Sequence, residues 1–153
     1  MTSRDRIGFA RRSWELHVAS VLQAAAEARG GAALGRFGVL LDCYAEHLDA
    51  KDHDGASALH AAALEGHVEA LELLLRGPHA RADVNALNNL DEGALHLTAR
   101  EGHLEATRLL LAEGARPHAA TRAGAWPVDL ARRQKNGEYA AVVDLLERES
   151  WIQ

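Results

Sequence analysis

Two pairs of histidines, His60 with His67 and His96 with His103, stand inside phrases that nearly copy each other. The phrases are ALHAAALEGHVEA, from Ala58 to Ala70, and ALHLTAREGHLEA, from Ala94 to Ala106. Imidazoles at fixed spacing can ligate zinc or relay protons. That chemistry would need both rings of a pair on one face of a continuous helix, and Gly66 and Gly102 interrupt it. Zinc sites also draw converging Cys and His at tighter spacing. Cys43 and His47, at i and i+4 beside Asp42 and Asp49, imitate a thiol–imidazole dyad. A thiol nucleophile needs an orienting third group and an oxyanion site as well, and nothing in the sequence supplies them. Cys43 therefore reads as a small apolar core residue, and the glycines spell no phosphate-cradling loop. The expectation is no catalytic residue, no metal, no cofactor and no small-molecule substrate.

What must position these residues is a repeat. His60 and His96 lie 36 positions apart, and a weaker third copy, Trp126-Pro127-Val128-Asp129-Leu130-Ala131, begins 33 positions after Gly93. The copies resemble the T-P-L-H-x-A signature of the ankyrin repeat, whose period is about 33 residues. Ala82-Asp83-Val84-Asn85-Ala86 matches that family's hairpin-loop phrase, Gly114-Ala115-Arg116-Pro117-His118 is a degraded second form, and Asp52-His53-Asp54-Gly55 is its β-turn opening. The resemblance implies an all-α fold, an ankyrin-repeat solenoid of stacked helix-turn-helix units joined by β-turn loops. It divides one domain, 1–153, into a divergent capping repeat at 9–51, repeats at 52–87 and 88–120, and a repeat with C-terminal cap at 121–153. Trp14-Glu15-Leu16-His17-Val18-Ala19 echoes the signature inside the cap, before an Ala- and Gly-rich stretch at 24–38. It also makes His60, His67, His96 and His103 structural, the first of each pair bonding turn backbone and the second setting loop geometry. Asp129 can replace the first histidine because a carboxylate accepts the same donors.

Local physics points the same way. Ser57 can cap a helix whose Ala58, Leu59, Ala61, Ala62 and Ala63 are short or strongly helical. Gly66 and Gly102 can end such helices in the left-handed conformation. A second helix from His67 places Val68, Leu71, Leu74 and Leu75 in one apolar stripe. No helix pair buries its stripe alone, so stacking is obligatory. Departures from the family pattern carry expectations too. Asp91 replaces the turn glycine and Gly93 the capping hydroxyl, so the second tip should be looser or differently shaped. The loop at 76–81 is enlarged, and Trp126 gives the last repeat an aromatic surface. Tyr139 to Glu147 reads as the last helix, with Trp151-Ile152 folding back as a lid.

The bulk properties exclude several functions. A formal charge of −5 over 153 residues argues against general nucleic-acid affinity. No apolar run reaches the roughly 18 residues of a membrane span, so no membrane partner is expected. A single cysteine makes no internal disulfide, which fits the cytoplasm or another reducing compartment. Arg4, Arg6, Arg11 and Arg12 also permit an organellar presequence, although a solvated basic arm is the simpler reading.

The resemblance places function in a partner protein, bound through the β-turn tips and the concave first-helix face. Its variable positions fall on His53, Asp54, Ala56, Leu64 and Glu65, then Asn89, Leu90, Glu92, Arg100 and Glu101, then Arg122, Ala123, Ala125, Arg133 and Gln134. Together they run from acidic, with Asp52, Asp54 and Glu65, to basic, with Arg122, Arg132 and Arg133. Leu64 and Leu90 are candidate anchors, and Trp126 reads either as a hot spot or as part of the cap. The expected role is a non-enzymatic adaptor or a subunit of a larger assembly. The alternative is a kinase inhibitor resembling the ankyrin-built ones, to which Pro127-Val128-Asp129-Leu130-Ala131 is similar. Asn85 sits where some ankyrin proteins resemble substrates of asparagine hydroxylation, and the competing reading has it hold the loop by side-chain hydrogen bonds.

Overall fold

A computed structural model describes residues 51, 54–76, 82–134 and 139–152. The expected cap before Lys51, with Cys43 and His47 in it, lies outside these residues, as do Asp52, His53 and the loop at 77–81. The described residues form six helices: α1 (Ala58–Glu65), α2 (Val68–Arg76), α3 (Ala94–Glu101), α4 (Leu104–Ala112), α5 (Pro127–Arg132) and α6 (Ala140–Ile152). They pair as antiparallel hairpins, α1 with α2, α3 with α4 and α5 with α6, and no strand occurs among the described residues.

Each hairpin is built from local signals. Gly66 closes α1 at φ 69°, and its N–H turns back to the carbonyls of Ala62 and Ala63. Gly102 closes α3 in the same way at φ 78°. In α2, Glu69 occupies the first turn and Arg76 the last, each complementing the helix dipole. Arg76 reaches across to Glu113 at the end of α4, tying two second helices together.

The first helices α1, α3 and α5 form one layer, and α2, α4 and α6 form the layer behind. Alanines at Ala62, Ala63, Ala94, Ala99 and Ala131 are fully buried and let the first helices approach closely. Leu71, Leu74, Leu110 and Leu146 fill the space behind them. Each such leucine contributes about 1.5–3 kcal/mol by leaving water.

Two expectations about shape are overturned. The chain does not fold back after Glu147: α6 runs on through Trp151, which is 89% exposed. No Pro or Gly interrupts Glu147-Arg148-Glu149-Ser150-Trp151, and Ser150 Oγ donates to the Leu146 carbonyl at 2.8 Å within the helix. Nor does Asp91 loosen the second tip. It adopts φ 58°, in the same left-handed region as Gly55 at 75° and Gly124 at 76°. Aspartate tolerates this region better than most residues.

Candidate protein-binding surface

The second tip holds its shape because Asn88 organises it. Its Oδ1 accepts the N–H of Leu90 at 2.9 Å and of Glu92 at 3.0 Å. Its backbone N–H donates to the Glu92 carbonyl, and its carbonyl accepts from Asp91. Thr121 serves the third tip in the same register, its hydroxyl accepting from the Ala125 N–H at 3.2 Å. Asn88 and Thr121 escaped the sequence reading; the signal was Asp52, Asn88 and Thr121 recurring at matched positions, all short turn-forming side chains.

The tips are joined edge to edge. Asn89 N–H donates to the Asp54 carbonyl at 2.9 Å, and Arg122 N–H donates to the Leu90 carbonyl at 3.0 Å. Asp54, Leu90 and Arg122 therefore follow one another along a continuous row. Below it, Asn85 spans the hairpin loops: Nδ2 donates to the Gly114 carbonyl at 3.2 Å, and Oδ1 accepts from Arg116 N–H at 3.0 Å.

The histidines bridge repeats. Ser57 N–H donates to His60 Nδ1, so that nitrogen carries the lone pair, and Nε2–H donates to the Glu92 carbonyl at 3.1 Å. His96 accepts from Gly93 N–H at 3.0 Å and donates to the Ala119 carbonyl at 2.8 Å. Burial holds the His96 ring below its ordinary pKa, outweighing the Ala119 and Ala125 backbone groups and the nearby Glu92 charge, which favour protonation. His103 points the other way, donating from Nε2 to the Leu64 carbonyl at 2.9 Å. Its ring lies against Gly66, where a Cβ would meet it at 2.6 Å. His67 is half-buried and opens α2, its carbonyl accepting from Leu71 N–H. Among the described residues no three His, Cys, Asp or Glu side chains converge as a metal site would require.

The candidate partner-contacting residues separate into distinct groups. Leu64 and Leu90 are 40% and 57% exposed, although the backbone of each is held by the bonds just described. Asp54, Glu65, Asn89, Glu101, Arg122, Arg133 and Gln134 are exposed as well. Ala125 is buried and presents nothing. Glu92 lies between Arg100 Nη1 at 3.0 Å and Asn88 Nδ2 at 3.3 Å, so its carboxylate serves the protein's own surface. Arg100 also meets Glu101 at 3.3 Å, so one guanidinium is shared between two carboxylates. Arg132 pairs with Glu147 on α6, which removes it from the basic end of the row.

Trp126 is 44% exposed, with the His118 ring edge-on at 5.3 Å. Together with Val128, Ser150 and Trp151 these rings line a groove of about 500 Å³ at the α5–α6 end of the stack. Trp126 is thus neither buried under the last turn nor part of the tip row.

A family model for ankyrin repeats, with three copies, matches residues 21–125. The match, the stacked helical hairpins and the aligned tips agree: the chain belongs to the ankyrin-repeat family.

Proposed function

We propose that this chain is a non-enzymatic adaptor, or a structural subunit of a larger assembly, that binds another protein along its tip row and the first-helix face formed by α1, α3 and α5. Ankyrin repeats are in general protein–protein interaction modules, and the site within them is read from this chain's own geometry. The observation that carries the reading is the pair Leu64 and Leu90. Both side chains face solvent while their main chains are fastened by hydrogen bonds to neighbouring elements. An apolar side chain on an already fastened main chain costs no further backbone ordering on binding, which is how an anchor gains affinity. A reducing intracellular compartment fits the single cysteine. The kinase-inhibitor alternative gains no support from α3, which at eight residues is as long as α1 and shows no shortening.

The test is affinity purification of the tagged chain from its source cell, followed by cross-linking and mass spectrometry. Cross-links should fall on the tip row, and Leu90→Asp should abolish recovery of the partner. A folded Leu90→Asp variant that retains the partner at full affinity overturns this face.

A further inference from the structure

The groove at the α5–α6 end of the stack is not part of the tip row. One wall is α6, where Glu147 and Trp151 stand at i and i+4 on one face because the helix runs unbroken through Trp151. The other is α5, where Val128 and Arg132 have the same spacing. His118 and Trp126, from the segment that leads into α5, add two rings set edge to face. Val128 is buried, so the exposed apolar side chains lining the groove are the two tryptophans. Exposed tryptophans gathered at one concave surface are the kind of patch that marks a binding site.

The lining also prefers one sign of charge. Arg132 is paired with Glu147, so those two contribute little net charge. Asp129 is the remaining charged group, and its carboxylate is engaged by the Trp126 N–H at 3.0 Å and by no cation among the described residues. The indoles add the negative faces of their π systems. A cation gains from both the carboxylate and the rings, an anion is repelled by both, and a neutral apolar group gains only buried area. We infer that this groove takes an arginine side chain of a partner protein, stacked on the indoles of Trp126 and Trp151 with Asp129 as its counter-charge. Arginine fits better than lysine because its planar guanidinium is weakly hydrated, stacks on aromatic faces and still presents N–H groups to a carboxylate.

The test titrates the full chain with three blocked tripeptides, Gly-Arg-Gly, Gly-Leu-Gly and Gly-Glu-Gly, and follows indole and backbone N–H signals by NMR. The arginine peptide should shift the Trp126 and Trp151 indoles, and the other two should bind more weakly. Trp126→Leu and Trp151→Leu keep an apolar side chain and lose the π face, so each should weaken arginine binding about threefold. Asp129→Asn keeps an acceptor for the Trp126 N–H and removes the charge, and should weaken it by a similar factor of about three. Both tryptophans are exposed, so thermal melting should show that these variants fold. Leu90→Asp, which probes the tip row, should leave the titration unchanged, so the two surfaces stand or fall separately. Equal binding of the leucine peptide, tighter binding of the glutamate peptide, or no shift with any peptide overturns the proposal. So does arginine binding that survives the double Trp→Leu variant or is lost in Leu90→Asp.

Discussion

In the first two copies of the repeated phrase, a histidine at the third helical position takes a backbone N–H on one ring nitrogen. It hands its own N–H forward along the chain: His60 to Glu92 in the following repeat, His96 to Ala119 in the loop that leads into the third. In the third copy Asp129 takes the Trp126 N–H at 3.0 Å, and a carboxylate has no N–H to pass forward. The second helices show the same contrast. The His103 ring lies over Gly66, whereas Tyr139 lies over Gly102, where a Cβ would meet it at 2.8 Å. Closing a turn requires only an acceptor. Joining one repeat to the next requires a side chain with an acceptor on one edge and a donor on the other.

The sharpest way to break that comparison is to truncate both residues. His96→Ala leaves the Gly93 N–H and the Ala119 carbonyl without the ring and opens a cavity, so it should cost about 3–5 kcal/mol. Asp129→Ala, which loses one exposed cap, should cost about 1 kcal/mol. Urea unfolding measures both, and equal losses would mean that the forward bond contributes nothing. Next in size is Gly66→Ala, which places a methyl group against His103 at a left-handed φ and should cost about 2–4 kcal/mol. Gly114→Ala, with open space around it and the same sign of φ, should cost less and isolates the ring contact.

Acid should weaken the forward bond. The fold holds His96 below its ordinary value of 6.5, so the unfolded chain takes up the proton first as pH falls. The His96 contribution is then complete above about pH 6.5 and declines progressively below it. Melting temperatures between pH 7.5 and 5 should fall more steeply for the native chain than for His96→Asn; parallel curves would show that the ring is not held neutral. Smallest in stability is Leu90→Asp, expected within about 0.5 kcal/mol of the native chain because the side chain is exposed. Its effect should appear in partner binding alone.

Much of this was legible in the residues. The period of the ALH and EGH phrases located α1 to α4, and the glycines marked where the first helices end, because a left-handed terminus is written in local sequence. The tip was harder. Asp91 in place of glycine suggested a different turn, but Asn88 supplies acceptors that hold the same one. That compensation is invisible until the two residues are seen in one loop. The proposed surface was legible in residue type and illegible in availability. Glu92 and Arg100 are variable charged positions like Arg122 and Arg133, yet they pair with each other. Which charged side chains come within reach of one another cannot be read from residue type.

By itself the amino-acid sequence determined the helical hairpins, their order and the apolar stripes that oblige them to stack, because propensity, capping and periodicity act over a few residues. Stacking alone decided the rest. It brought His60 to Glu92 and Arg132 to Glu147, joined the tips into one row, and left Trp151 in solvent at the end of α6. Those outcomes depend on which groups from distant segments meet in space. No local rule assigns a donor its acceptor some thirty residues away, because that distance is closed only when neighbouring repeats bury their shared face.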